Sequence, residues 1–157
     1  MTEQLSPLAL QALAVVEESG AIINANHAHP HTIRHKGRID LVTETDIAVE
    51  AFLKERLATL APQAGFLAEE SAEDLSLPDT CWIIDPVDGT TNFAHGLPLT
   101  VTSVAYRLNG EIVLGIVNAP LLRECFIAEK GKGAWRNGER ISVSSVTACE
   151  NALIATG

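Results

Sequence analysis

Two stretches of the chain repeat apolar residues at the three- and four-residue intervals of an α-helix. The first covers residues 6–25 and opens with Ser6, a suitable helix cap, followed by a proline that suits the first helical position. The residues spaced along its predicted face are Leu10, Leu13, Ala14 and Glu17. The second helix is predicted to start near Thr43 or Thr45 and to end near Leu60. Its predicted apolar face consists of Val49, Phe52, Leu53 and Leu57.

Beyond the second helix the pattern changes to short apolar runs and then to alternation. Residues 64–68 and 81–85 are predicted as buried strands. Two Asn-Gly pairs, at 109–110 and 137–138, predict two-residue hairpin turns, so that a meander of about four antiparallel strands follows. The predicted strands of the meander are 99–108, 111–120, 122–130 and 139–144. Helices packed on a mainly antiparallel sheet indicate an α+β or layered αβ fold in a single domain.

The charge balance limits the partners that the chain can bind. It has 20 Asp plus Glu and 11 Lys plus Arg, a formal net charge of −9. Because nucleic acids and anionic membrane surfaces attract clustered Lys and Arg, we expect neither as a partner. No uninterrupted apolar run is long enough to span a membrane, and the N-terminus does not resemble a signal peptide. The 3 cysteines lack CxxC spacing, which favours reduced thiols and a cytoplasmic location.

Acidic side chains follow two of the predicted strands, at the point where each strand ends. Glu69 and Glu70 follow the first apolar run, and Asp85 and Asp88 follow the second. If the two strands are neighbours, these carboxylates converge at one sheet edge, where a cation must offset their repulsion. Mg²⁺ typically takes carboxylate oxygens together with substrate phosphate, and the backbone carbonyl of Val87 adds a further oxygen. The sequence therefore predicts a divalent-metal site.

The residues after Asp88 suit an anion. Gly89 has no Cβ to block a close approach, and Thr90, Thr91 and Asn92 are predicted as the first turn of a short helix. Free backbone N–H groups at such a position bind phosphate well. A metal site beside a phosphate-binding turn is typical of a metal-assisted phosphoester hydrolase, in which two ions stabilise the attacking and leaving oxygens.

Three motifs, in this order, resemble those of the inositol monophosphatase family of Mg²⁺-dependent, lithium-sensitive phosphatases: 40-DLVTETD-46, 66-FLAEES-71 and 82-WIIDPVDGTTNFAHGLP-98. The later stretch 128-AEKGKGAWRNGERISVS-144 resembles the family's glycine-rich hairpin. The resemblance implies the layered αβαβα fold of sugar phosphatases. It also implies hydrolysis of inositol 1-phosphate, a myo-inositol monophosphate, with two or three Mg²⁺ ions, for which Mn²⁺ is a possible substitute.

The resemblance also implies a role for each site residue. The implied metal ligands are Glu69, Asp85, the carbonyl of Val87, and Asp88, with Asp85 bridging two ions. The implied catalytic residues are Asp46, Glu69 and Thr90, with Thr90 hydrogen-bonded to Asp46 so that it orients the attacking water. The implied substrate contacts are Val87, Asp88, Gly89 and Thr90. Lys36 would lie on a mobile loop that closes near the metals.

One departure from the family pattern concerns length. Family members have a second half, with a Trp-Asp motif that completes the second metal site. We expect residues 1–157 to be the N-terminal portion of a single domain without that C-terminal half, and 152-ALIATG-157 to be the strand that leads into it. An apolar edge exposed at 152–155 would make a monomer unfavourable, so we expect a homodimer.

Other interpretations stay open at this level. The alternatives are a fructose-1,6-bisphosphatase, an adenosine-bisphosphate nucleotidase, or a truncated paralogue that binds without turnover. Asp85-Pro-Val-Asp88-Gly could be an ordinary turn, Glu69-Glu70 a solvated pair, and Asp46 a residue that merely suits the helix dipole. Four histidines invite a zinc interpretation, although an interrupting proline and the lack of a nearby cysteine favour a solvated loop. They are His27, His29, His31 and His35.

Overall fold

The computed structural model describes residues 5–27, 34–35, 41–42, 44–68 and 78–154. Its helices are α1 (Pro7–His27), α2 (Glu44–Leu60) and α3 (Thr90–Ala94). Its strands are β1 (Arg34–His35), β2 (Leu41–Val42), β3 (Gly65–Ala68), β4 (Cys81–Asp88), β5 (Val101–Leu108), β6 (Glu111–Ala119), β7 (Glu124–Glu129), β8 (Gly133–Arg136) and β9 (Glu139–Ile141). Short 3₁₀ turns occupy Pro120–Leu122 and Cys149–Asn151.

Seven strands form one sheet in the order β3-β4-β5-β6-β7-β8-β9, and β1 pairs with β2 separately. Among the described strands of the large sheet, β3 and β4 run parallel and every other neighbouring pair is antiparallel. The Asn-Gly pairs form the predicted hairpin turns, with φ of 51° and 83° at residues 109 and 110 and of 50° and 81° at residues 137 and 138. Positive φ at both positions defines the type I′ turn. The predicted α+β fold with a mainly antiparallel sheet is confirmed.

Two strand predictions near the end of the chain are wrong. Strand β9 ends at Ile141 instead of residue 144, and residues 152–154 form no strand. A strand needs a neighbour for its backbone hydrogen bonds, and the described residues offer none to this segment. Leu153 and Ile154 are nevertheless exposed, at 101% and 73%, so the apolar surface expected there is present without the sheet edge.

Helices α1 and α2 pack against each other and against the sheet, with α2 on β4 and α1 on β6. The predicted α2 face is confirmed, because Val49, Leu53 and Leu57 are buried. The predicted α1 face is wrong: Leu10, Ala14 and Glu17 are exposed, and the buried positions are Ala9, Ala12, Val15, Val16, Ser19, Gly20 and Ile23. Four of these seven residues are alanine, serine or glycine, and their small side chains let this face of α1 approach its neighbours closely.

The start of α1 is tied to the sheet by hydrogen bonds. The predicted cap is confirmed, since the backbone N–H of Ala9 donates to Ser6 Oγ at 3.2 Å. The backbone N–H of Ser6 in turn donates to Glu129 Oε2 at 2.8 Å. Burial raises the pKa of the Glu129 carboxyl, but the bonds from Ser6 and Lys132 outweigh it and hold that pKa below its usual value.

By length and composition alone, α1 could cross a membrane, with a mean hydropathy of 1.3 in its most apolar window. The core helix of a soluble protein passes the same test. A signal sequence near the N-terminus passes it as well. In the described part of the chain, α1 buries seven residues and packs against α2 and the sheet.

Candidate active site

Two parallel strands, β3 and β4, bring Ala68 next to the acid-bearing end of β4. Ala68, the last residue of β3, pairs with Ile84 of β4, one residue before Asp85. The sequence-based expectation that these two strands are neighbours is therefore confirmed. Glu69, Glu70 and Lys36 lie outside the described residues, so their predicted roles stay predictions.

Strand β4 does not end on Asp85, as the sequence predicted, but continues through Pro86 to Asp88. Asp85 pairs with Ser103, and Asp88 pairs with Val101. Between these two pairs the chain advances three residues along β4 but only two along β5. The additional residue is a β-bulge. Proline suits this position because it has no N–H to contribute to the ladder. The carboxylates of Asp85 and Asp88 are therefore positioned by a bulge within β4. They are not positioned by a turn that follows the end of the strand.

Three threonine hydroxyls hold the backbone carbonyls of the bulge. Thr102 donates to the Pro86 carbonyl and Thr100 to the Asp88 carbonyl, each at 2.9 Å, and the Thr90 hydroxyl lies 2.9 Å from the Val87 carbonyl oxygen, to which it can donate. Thr100 and Thr102 are buried, at 1% and 0% exposure. Sequence reasoning missed both. The available signal was the alternation of Thr100 and Thr102 with Val104 and Tyr106, which begins one residue before β5 and continues along its buried face.

Gly89 connects the bulge to α3 in a conformation that requires glycine. Its φ of +89° and ψ of 35° are left-handed, and a Cβ added there would lie 2.8 Å from the Leu99 carbonyl oxygen. The Asn92 side-chain amide donates to the same carbonyl at 2.8 Å. The predicted short helix after Gly89 is confirmed as α3. The crowding found at Gly89 comes from the chain itself, whereas the sequence suggested space for an anion.

The Thr90 hydroxyl lies between two acceptors. Its Oγ1 is 3.2 Å from Asp46 Oδ1 and 2.9 Å from the Val87 carbonyl oxygen. Since a hydroxyl has one proton, it donates to one of these oxygens at a time. Asp46 is 1% exposed and lies in the first turn of α2, where the helix dipole favours a carboxylate. The hydrogen bond expected between Thr90 and Asp46 is thus present.

The oxygens around the bulge are of the kind that hard divalent cations prefer. Asp85 is half-buried, Val87 is buried and Asp88 is exposed, so the group runs from the core to the surface. The Val87 carbonyl accepts from Thr90 and keeps a second lone pair. Among residues 5–27, 34–35, 41–42, 44–68 and 78–154, no group of three His, Cys, Asp or Glu side chains is placed to hold a metal. Glu69, the expected additional ligand, is not in those ranges.

The four histidines of the zinc interpretation are only partly described. The His27 ring packs on Phe93 of α3, with centroids 5.8 Å apart. This contact joins the end of α1 to the helix that carries Thr90. His29 and His31 lie outside the described residues, and only the backbone of His35 is described. The three cysteines are free thiols, as expected, with Cys81 and Cys125 buried.

The fold and site define an α+β protein with an oxygen-donor group beside a short helix. The family model for the inositol monophosphatase family matches residues 4–157. The chain belongs to this family. An inositol monophosphatase of Dictyostelium discoideum is 46% identical over 149 residues, covering 92% of this chain and 55% of the relative. The chain thus spans about half the length of the curated relatives it matches.

Other relatives extend the comparison. A fructose-1,6-bisphosphatase/inositol-1-monophosphatase of Thermotoga maritima is 44% identical over 118 residues, covering 75% of this chain and 45% of the relative. The crystal structure of the extragenic suppressor protein suhB from Bartonella henselae superposes with a TM-score of 0.82 at 33% identity, over 90% of this chain and 55% of that one. The structure of an IMPase/NADP phosphatase with Mg²⁺ and phosphate superposes with a TM-score of 0.72 at 27% identity. The match covers 81% of this chain and 49% of that one.

Proposed function

We propose that the protein to which this chain belongs is a Mg²⁺-dependent phosphomonoesterase that hydrolyses inositol 1-phosphate to inositol and phosphate. The observation that supports this most directly is the position of the Thr90 hydroxyl, between buried Asp46 and the Val87 carbonyl of an acid-bearing bulge. Family membership supports the reaction class, and the Mg²⁺ and phosphate bound to a related phosphatase support the cofactor.

The cofactor would be held by the carboxylates of Asp85 and Asp88, the carbonyl of Val87 and, as the resemblance implies, Glu69. This donor set contains only oxygen, so two or three Mg²⁺ ions, or Mn²⁺ in their place, suit it. When bound, the ions supply neutralisation of phosphate charge and lower the pKa of water. Lithium sensitivity, another family property, belongs to the same proposal.

The protein's own contribution is to position water and receive its proton. If Thr90 donates to Asp46, its lone pairs are free to accept a hydrogen bond from the attacking water. The water proton can then move to Thr90 Oγ1 as the hydroxyl proton moves to Asp46. The backbone amides of Gly89 and Thr90, together with Val87 and Asp88, would contact the phosphate, and Lys36 would approach it from its loop.

The test measures phosphate release from inositol 1-phosphate by the purified chain, with and without Mg²⁺. Asp88→Asn removes one ligand charge at nearly constant volume, so it should abolish Mg²⁺-dependent release while the fold persists. Glu139→Gln is the matched control, because it removes an exposed carboxylate on β9. Full activity of Asp88→Asn would contradict the metal assignment. If no phosphate is released under any condition, the result supports the non-catalytic alternative for this polypeptide.

Fructose 1,6-bisphosphate is the second candidate substrate. It is favoured by the 44% identity to the Thermotoga relative, whose name combines both activities. Assaying inositol 1-phosphate, fructose 1,6-bisphosphate and an adenosine bisphosphate side by side ranks these substrates by kcat/KM. The inositol ester should be preferred, and a higher kcat/KM for either bisphosphate would replace it in the proposal.

We also propose a cytoplasmic homodimer. Val143 and Leu153 are almost fully exposed, at 96% and 101%, and burial of such side chains in an interface is favourable. Light scattering of the purified chain should give twice the monomer mass of 16.8 kDa. A monomer at all concentrations would count against this assembly.

A further inference from the structure

A cavity of about 350 Å³ lies between α1 and the connection from β6 to β7. Its walls include Glu17, Gly20 and Asn24 from α1, and Asn118 and Arg123 from the opposite side. None of the residues assigned to phosphate hydrolysis lines it. The volume lies at the lower end of the range of small-molecule sites, about 300–1,000 Å³, and equals the liquid volume of about a dozen waters.

The floor of the cavity is held by close packing and a buried amide. Asn118 is 5% exposed, and its Nδ2 donates to the Val16 carbonyl of α1 at 3.1 Å. A Cβ on Gly20 would lie 2.8 Å from this Nδ2 and 3.0 Å from Pro120 Cβ. Glycine at position 20 therefore allows the helix and the strand to meet, which fixes the depth of the cavity.

The opposite wall is equally ordered. The side-chain oxygen of Asn137 accepts from the Cys125 backbone N–H at 2.8 Å, and its amide donates to the Arg123 carbonyl at 3.0 Å. Arg123 itself adopts a left-handed conformation, with φ of 57°. Asn137 thereby fixes the backbone that presents the Arg123 side chain. The cavity is formed by the fold and needs no ligand to shape it.

Two opposite charges line the cavity without neutralising each other. Within the described part of the chain, neither the Arg123 guanidinium nor the Glu17 carboxylate has an ion-pair or hydrogen-bond partner. The other acid in the wall, Glu124, pairs with Arg136 at 3.6 Å. Burial raises the pKa of the Glu17 carboxyl, consistent with a carboxylate that has lost some water and gained no cation. Among the residues that the structure describes, the cavity thus offers a free guanidinium, that of Arg123, and a free carboxylate, that of Glu17.

Thiol chemistry does not explain this cavity. Cys125 lines it, but burial and then the negative charge of Glu17 raise its pKa to about 12. A thiol with such a pKa is almost entirely protonated at neutral pH, so it is a poor nucleophile and metal ligand. Cys125 acts as part of the wall.

We propose that this cavity is a binding site for a small zwitterion, a molecule that carries one carboxylate and one ammonium group, as a free amino acid does. The planar fork of Arg123 suits a carboxylate, and Glu17 suits an ammonium group. The exposed Asn24, on α1 with Glu17, adds a side-chain amide to the cavity lining. This proposal does not depend on the phosphatase activity.

The test measures binding to the purified chain by isothermal titration calorimetry. Glycine, β-alanine, 4-aminobutanoate and 5-aminopentanoate carry the same two charges at increasing separation, and butanoate and butylamine carry one charge each. At least one zwitterion should bind saturably, and more tightly than either singly charged compound. Arg123→Gln and Glu17→Gln should each weaken it about tenfold or more, because a charge-assisted hydrogen bond is lost.

Lys130→Gln and Glu111→Gln are the matched controls, because each removes one positive or one negative charge outside the cavity. Lys130, after β7, and Glu111, on β6, form an exposed ion pair. They should leave affinity unchanged. All four altered side chains lie at the surface, so the variants should melt with the parent chain. Absence of saturable binding by all four zwitterions would overturn the proposal. So would equal binding of butanoate or butylamine, or affinities unaffected by Arg123→Gln and Glu17→Gln.

Discussion

The hydroxyl of Thr102 is the sharpest test of how the acid-bearing bulge is held. The side chain is fully buried, and its hydroxyl donates to the Pro86 carbonyl at 2.9 Å. Thr102→Val keeps the shape and removes the donor, so a buried carbonyl loses its partner. Such a loss costs about 1–3 kcal/mol. If the hydroxyl contributed only volume, the methyl group that replaces it would instead stabilise the core. The two explanations therefore predict changes of opposite sign in the free energy of unfolding.

Thermal unfolding followed by circular dichroism measures this difference. For a chain of this size, each kcal/mol lowers Tm by about 2–4 °C, so Thr102→Val should melt about 2–12 °C below the parent. Thr59→Val is the control, because the Thr59 hydroxyl donates to the Arg56 carbonyl on an exposed helix surface. It should change stability by no more than about 0.5 kcal/mol. A Thr102→Val variant as stable as the parent would refute the role of the hydroxyl.

Three further predictions follow from neighbouring features. Gly89→Ala should lower the free energy of unfolding, measured in urea, by at least about 1–2 kcal/mol, since left-handed φ is costly for alanine; equal stability would contradict the Leu99 contact. In the phosphate-release assay, Thr90→Val should lose about 100-fold or more in kcat, whereas Thr90→Ser retains the hydroxyl and most activity; an active valine variant would exclude the proposed proton transfer. The Glu129 carboxylate has a lowered pKa, so its stabilisation is present above about pH 4 and is lost as the pH falls through that lowered pKa. Glu129→Gln should therefore flatten the acid side of the stability–pH curve, and an unchanged curve would contradict the bond to Ser6.

Local signals were enough to predict much of the fold. Both Asn-Gly hairpins and helix α2 follow from neighbouring residues, because turn type and an apolar face are set within a few positions. The buried face of α1 was missed because four of its seven buried residues are alanine, serine or glycine, while the leucine at position 10 is exposed. The bulge in β4 was missed because it depends on its register with β5, which a single segment does not reveal.

The candidate site was predictable to a different extent. Asp85, Asp88 and Gly89 stand out in the sequence because acids and glycine directly follow an apolar run. The contact of Asp46 with Thr90 spans 44 positions, and only the family resemblance pointed to it. Thr100 and Thr102 were missed because their acceptors are backbone carbonyls of another strand. Every residue has a backbone carbonyl, so the amino-acid sequence does not show which of them accepts a hydrogen bond.

The threonine bonds also affect the order in which the protein can form during synthesis. The threonine hydrogen bonds to the carbonyls of the bulge join residues 3, 12 and 16 positions apart in the sequence. The hydrogen bond between Thr90 and Asp46 joins residues 44 positions apart. Short loops close at low entropic cost, and chains emerge from the ribosome N-terminal end first. The arrangement of Asp46, Asp85 and Thr90 can therefore be complete once β5 has paired with β4. A nascent chain would carry an organised oxygen-donor site while more distal sequence was still being translated.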